Sequence, residues 1–470
     1  MSIAIAIDRA VIPILNGQLG WLPNPLLLTE TVAEEGYEDA VIASLVATVI
    51  VIFVVSRLLE ELCVRVGLPA VLGDLLAGIV LGASALGFLI FAEVGGEVNP
   101  SILNFLGAVT GASPEAVTKA YDFQMEALID RTATSGLLVL LFVTGLESDL
   151  GELIRVGGQA ATVACSGVAI PFVLGSLMLI YVFHIATIPA LFAGAALTAT
   201  SIGITAKVMQ DIGVLKSKEG QIILGAAILD DILGIVVLAV MLSLVATGTV
   251  EIATIASLLF SATLFVLGAV LLNRYFAPIF EAIADRFKSP GALMTLAVLF
   301  LALLSLLGVA AKLEAILGAF AAGIVLAGTN KRDELQQLFQ PFVYIQTTVF
   351  FVTVGAKVDL SVINPLNPEN REGLIIAAIL IAIAIVGKVA AGFVVISKEK
   401  ISRLAIGTGM IPRGEVGLVF AGLGSATGAL PKSLDAAIII MVIVTTLIAP
   451  ILLRFVFPKS EEVTQTEAIT

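Results

Sequence analysis

The chain has 470 residues, 59% hydrophobic and only 13% charged, with a mean hydropathy of +1.10 and a formal net charge of −12. This composition excludes a water-soluble globular domain, and the acidic balance excludes nucleic acid as a partner. Two cysteines, Cys63 and Cys165, lie in or beside apolar runs and read as packing residues; they supply neither a disulfide framework nor a thiolate metal cluster.

Residues 1–39 form an N-terminal segment. Its apolar stretch Ile3 to Leu15 carries Asp8 and Arg9 and lacks both a clear basic start and a small-residue cleavage site, so it reads as an interfacial or short extra helix rather than a signal peptide. A helix needs about 20 apolar residues to cross ~30 Å of hydrocarbon. Windows of that kind recur at roughly 40–57, 68–91, 132–147, 157–183, 187–206, 220–246, 252–272, 291–308, 314–328, 341–356, 373–397, 404–427 and 434–457. They are apolar on every side, whereas barrel strands alternate polar and apolar over ~10 residues. The expected fold is therefore an all-α polytopic membrane protein with about 13 transmembrane helices, its transmembrane domain spanning 40–457.

Between the second and third windows, residues 92–131 are the longest break. Gly95-Gly96, Asn99-Pro100 and Ser113-Pro114 mark turns there, predicting a loop with a short helix on the external face. Residues 458–470 are expected to be a short cytoplasmic tail with no soluble regulatory domain after it. If the spans are threaded alternately, the face holding the C-terminus collects 16 of the 25 Lys and Arg residues and the opposite face 7, which places the C-terminus in the cytoplasm.

An internal repeat is legible. Leu72-Gly73 followed by Ala77-Gly78-Ile79-Val80-Leu81 recurs as Leu317-Gly318 followed by Ala322-Gly323-Ile324-Val325-Leu326. Phe142-Val143-Thr144 and Gly145 through Leu150 recur, with one residue inserted, as Phe351-Val352-Thr353 and Gly355 through Leu360. From the start of the span that carries the first motif to the start of the span that carries its copy the chain crosses the membrane seven times, so the halves, about 68–246 and 314–457, enter from opposite sides. Such an inverted repeat is the architecture of secondary transporters whose substrate site lies at the midplane.

At equivalent places in the two halves, polar residues interrupt the apolar runs: Thr198-Ala-Thr-Ser201-Ile-Gly203-Ile-Thr205 in the fifth window and Gly409-Met-Ile-Pro412-Arg413-Gly414-Glu415-Val-Gly417 in the twelfth. Broken helices there would leave backbone carbonyls and amides free to coordinate a cation. Arg413 and Glu415 form an internal charge pair in the simplest reading, either neutralising helix ends or taking part in ion or pH sensing. Between these breaks, Asp230 and Asp231 sit inside Ile222-Ile-Leu-Gly-Ala-Ala-Ile-Leu-Asp-Asp-Ile-Leu-Gly234. An ionisable group at bilayer depth costs at least ~2.5–3.5 kcal/mol, and the default function that retains two is ion or proton transport. A hard monovalent cation prefers oxygen ligands, and Asp231 can hold such a cation or a proton but not both well. The only histidine, His184, falls at a window edge and reads as a loop residue, so a histidine pH switch has no support.

Four strings in this order, Thr200-Ser-Ile-Gly-Ile-Thr205, Ile222 to Gly234, Val386-Gly-Lys388-Val and Pro412-Arg-Gly-Glu-Val-Gly-Leu418, resemble the NapA-type sodium/proton antiporters of the cation/proton antiporter superfamily over about residues 40–457. The resemblance implies a core bundle with two crossed broken helices, a dimerisation bundle and a homodimer. It makes Asp231 the ion-binding aspartate and Asp230 its partner, places Lys388 as the lysine that pairs with Asp230, and sets Thr200 and Ser201 on the first broken helix and Arg413 and Glu415 on the second. It implies exchange of Na+, or of Li+ or K+, for protons, with no cofactor. Electrogenic exchange follows if cation binding at Asp231 breaks a Lys388–Asp230 pair and releases protons; a purely structural pair with Asp231 alone titrating stays open. A cation channel or a potassium/proton antiporter is the alternative function, although a Thr-Val-Gly-Tyr-Gly filter is missing. No nucleophile–base set stands out for an enzyme. The membrane is a cell membrane or a thylakoid membrane.

Overall fold

The computed structural model describes residues 36–91, 98–247, 252–287, 289–358, 360, 370–397, 399–413, 417, 420 and 430–457. The regular structure among them is helical, apart from one isolated bridge between Gly82 and Leu89. In chain order the helices are α1 (Tyr37–Arg65), α2 (Ala70–Leu81), α3 (Pro100–Thr110), α4 (Pro114–Phe123), α5 (Asp130–Glu147), α6 (Leu150–Tyr181), α7 (Thr187–Ala196), α8 (Ile202–Asp211), α9 (Lys218–Thr247), α10 (Ile252–Ala284), α11 (Ala292–Ala310), α12 (Ala315–Ala327), α13 (Arg332–Ala356), α14 (Asn370–Phe393), α15 (Arg403–Gly409) and α16 (Lys432–Val456). Nine described helices are long and apolar enough to cross a membrane, and α2, α3, α7 and α12 are shorter apolar pieces.

The stretch expected to be a loop with a short helix, 92–131, holds more helix than that. From Pro100 onward it is mostly helix, and α4 continues through a π-helical turn, Gln124–Ile129, into α5, so that one 34-residue span runs Pro114–Glu147. The Asn-Pro and Ser-Pro pairs start helices instead of turns. Asn99 accepts from the Ser101 amide and Ser113 from the Ala116 amide, while Pro100 and Pro114 occupy first-turn positions where a missing N–H costs nothing. Segments 1–35, 92–97 and 458–470 lie outside the described residues.

The chain divides into two compact units. The first gathers the described parts of Met1–Leu59, Gly73–Leu137 and Tyr344–Asp359. In it, buried Ser56 donates a hydrogen bond to buried Asp74, and the Lys357 ammonium lies 2.8 Å from Asp130 Oδ1. Helices α2 and α13 touch backbone to backbone: a Cβ on Gly78 would stand 2.1 Å from the Val352 carbonyl oxygen, and one on Gly355 2.1 Å from that of Leu75.

The second unit holds Glu60–Leu72, Leu138–Val343 and the described parts of Leu360–Thr470. Here α12 and α5 make the same contact. A Cβ on Gly323 would stand 2.0 Å from the Phe142 carbonyl oxygen, and one on Gly145 2.3 Å from that of Phe320. In the register of the sequence repeat, Gly78 answers to Gly323, Leu75 to Phe320 and Gly355 to Gly145, whereas Val352 and Phe142 are offset by the one inserted residue. Only glycine permits such approach, which in lipid replaces the missing hydrophobic drive with van der Waals packing. The apolar core of this unit joins α6, α7, α9, α14 and α16 through residues such as Leu179, Phe192, Met241, Leu380 and Ile438. His184, exposed, lies in the connection between α6 and α7. Cys63 is buried and Cys165 exposed, both unbridged.

Candidate functional site

The site lies within the second unit and begins with two interrupted helices. Helix α7 stops at Ala196 and α8 resumes at Ile202. Ser201 caps the new start, its hydroxyl accepting from the Ile204 amide at 3.4 Å. Helix α15 stops at Gly409, and Ile411, Pro412 and Arg413 follow in non-helical backbone. Pro412 helps set this break, because its ring disfavours a helical conformation at the residue before it.

The two breaks are tied to each other. The Ser201 amide donates to the Pro412 carbonyl at 2.8 Å, Thr200 Oγ1 to the Met410 carbonyl at 3.2 Å and Thr205 Oγ1 to the Gly409 carbonyl at 3.0 Å. Arg413 Nη1 reaches back to the Ala199 carbonyl, and Thr446 Oγ1 on α16 donates to the Arg413 carbonyl at 2.7 Å. Thus the groups that the breaks expose are partly satisfied across the crossing, as a membrane interior demands. The Arg413 guanidinium, completely buried, also sits just beyond the C-terminal end of α7, where positive charge complements the helix dipole. Glu415 lies outside the described residues.

Next to the crossing runs α9, which carries Asp230 and Asp231, 0% and 4% exposed. Lys388, on α14 and also 0% exposed, brings its Nζ within 3.3 and 3.2 Å of the two Asp230 oxygens. Small residues make room for this ion pair. A Cβ on Gly167 of α6 would stand 3.4 Å from Lys388 Nζ, and one on Gly387 would collide with Pro171 at 2.9 Å. Pro171 lies inside α6 and cannot donate to the carbonyl four residues earlier, that of Gly167. The Gly167 carbonyl, on the stretch of α6 that faces the lysine, therefore lacks its usual helical donor.

Thr200, Ser201, Asp230, Asp231, Lys388 and Arg413 are thus buried together in one unit, and Lys388 contacts Asp230. Nothing in the linear pattern marks Gly167 or Pro171, whose part is to shape the lysine's surroundings. For Thr446 the signal is a hydroxyl pair, Thr445-Thr446, inside an otherwise apolar run.

Among the described residues no group of three His, Cys, Asp or Glu side chains could hold a metal ion as a resident cofactor. The second unit thus holds a buried carboxylate at Asp231 beside one at Asp230 that is paired with a buried lysine.

The chain is 51% identical over 441 residues to the high-affinity Na+/H+ antiporter NhaS3 of Synechocystis sp., covering 93% of this chain and 95% of that one. It is 30% identical over 415 residues to the Na+/H+–K+ antiporter GerN of Bacillus cereus, with 87% and 95% covered. Its fold is similar to that of the sodium proton antiporter MjNhaP1 of Methanocaldococcus jannaschii, with a TM-score of 0.58 at 17% identity over 88% of this chain and 97% of the other. Residues 44–459 match the transmembrane sodium/hydrogen exchanger family, and the chain belongs to that family.

Proposed function

We propose that the protein exchanges Na+ for protons across a membrane by alternating access, with cation and proton competing for Asp231. The observation that carries this reading is the Lys388–Asp230 ion pair, sealed from solvent at 3.2 Å and adjacent in sequence to a second buried aspartate at the crossing of two broken helices. A cation arriving at Asp231 adds positive charge beside Lys388. It weakens the hold of Asp230 on the ammonium, and protons leave as the cation enters. Two titrating groups exchanged for one cation make the cycle electrogenic.

The matched glycine contacts, Gly78 with Val352 and Gly323 with Phe142, support an inverted repeat, and the excess of Lys and Arg on one side supports a cytoplasmic C-terminus. A homodimer in a cell or thylakoid membrane completes the proposal, with no cofactor beyond the transported ions. K+ is a second candidate cargo, since one relative is named as an antiporter of Na+ and K+.

In liposomes carrying a pH gradient, addition of Na+ should collapse the gradient for the native protein and leave it intact for Asp231→Asn. Equal collapse by both proteins, or none with Na+, Li+ or K+, would overturn the assignment.

A further inference from the structure

The exchange proposed above draws on Asp230, Asp231 and Lys388, but the same buried cluster contains a fourth charge. Arg413 is 0% exposed, and only part of its guanidinium is committed. Nη1 donates to the Ala199 carbonyl, whereas Nε and Nη2, both sealed from solvent, have no hydrogen-bond partner among the described residues. Two buried N–H donors without acceptors are costly in a membrane interior and call for an oxygen acceptor. Nε–H and Nη2–H lie on one edge of the guanidinium plane, the edge that grips both oxygens of a carboxylate. The charge on that plane is permanent, because arginine keeps its proton even when buried.

The charges of Arg413 and Asp230 act on each other, as do those of Arg413 and Lys388. The other elements around the crossing add little. Helix α7 has no titratable group, α8 has Lys207 and Asp211, which pair with each other at 3.0 Å, and α16, which meets Arg413 through Thr446, has none between Asp435 and Arg454. On α6 the one titratable group between Arg155 and Tyr181 is Cys165, which is exposed. Two carboxylates thus face two cations at rest. A cation bound at Asp231 adds a third positive charge, and in the exchange reading Lys388 responds by giving up its proton. Asp230 then loses the partner that held both its oxygens, at 3.3 and 3.2 Å. Burial drives an unpaired carboxylate to take up a proton, which would retain in the protein the very proton that exchange must release.

We propose that Arg413 is the second counter-ion of Asp230: with Nη1 still on the Ala199 carbonyl, it offers Nε–H and Nη2–H to that carboxylate when Lys388 becomes neutral, and so keeps Asp230 ionised while a cation occupies Asp231. Arg413 is thereby a positioning residue, acting through Asp230 on the number of protons released. The proposal rests on the exchange reading above, in which two groups release protons for one cation.

The test counts the protons released, with a pH dye in weakly buffered detergent, for each radioactive sodium ion bound by the purified protein. Native protein should release about two protons per sodium and Arg413→Gln about one, because Asp230 keeps the other. Arg413→Lys, which retains the charge, should restore the native count. Infrared difference spectra with and without sodium should show a protonated carboxyl in Arg413→Gln that native protein lacks and that disappears when Asp230→Asn is added. Arg413→Met, of similar length and with no donor left to satisfy, carries the test if Arg413→Gln does not fold. A native proton count without the carboxyl band in these variants would overturn the proposal. An equal loss of protons in Arg413→Lys would also overturn it by making the role structural, and an equal loss in Glu415→Gln would do so by assigning the two nitrogens to Glu415. Native protein that releases one proton per sodium, or none, counts against the two-proton exchange reading instead.

Discussion

Lys388 Nζ stands 3.2 Å from Asp230 Oδ2, with both side chains completely buried and 158 residues apart in the chain. Removing one partner of such a pair leaves an uncompensated charge, which typically costs about 3–5 kcal/mol, whereas removing both costs far less. Lys388→Ala should therefore lower the melting temperature, and Asp230→Asn combined with Lys388→Ala should recover most of the loss. If the pair also carries a proton in the cycle, Lys388→Ala will transport with much reduced current on voltage-sensitive membranes. Undiminished current per ion exchanged would assign the pair a structural role only.

Close approach at Gly78 and Gly323 leaves no room for a side chain, because the nearest atoms are backbone carbonyl oxygens at 2.1 and 2.0 Å from where a Cβ would be. Gly78→Ala and Gly323→Ala should each destabilise the protein by roughly 1–3 kcal/mol or more. Thermal unfolding in detergent checks this, and a loss at one position only would show that the two contacts are not equivalent in energy.

On the aqueous rim, the Lys218 ammonium hydrogen-bonds Glu399 and holds its carboxyl below its ordinary value of 4.5. A carboxyl lowered in the folded state stabilises that state above the ordinary value, and the contribution vanishes as pH falls through the lowered one. Both groups are solvent-accessible, so the contribution is small and screened by salt. Melting temperatures of Glu399→Gln should fall slightly below those of the native protein at neutral pH and low salt and converge with them in acid. A gap that widens as pH falls would contradict this account.

The aspartate pair and the two polar interruptions are legible in the sequence because lipid tolerates so few polar residues that each one stands out. The glycine contacts are legible as a repeated motif, although which helices meet is not. Other features escape a hydropathy reading. Helix α4 carries Glu115, Lys119 and Asp122, so no uniform apolar window flags it, and its cap Ser113-Pro114 has the same composition as a turn. The contact of Lys388 with Asp230 joins distant parts of the chain, and residue types alone do not specify it; the resemblance to a known family does.

Competition between proton and cation for one carboxylate is the central claim, and the sodium KM of exchange measured across pH tests it most directly. If both ligands need Asp231, the KM should rise at least about tenfold for each unit of acidification below the pKa of the site, and up to about a hundredfold where both titrating groups are protonated, while the maximal rate at saturating sodium holds steady. A KM independent of pH, with the maximal rate falling instead, would mean that proton and sodium occupy separate sites and would contradict the account.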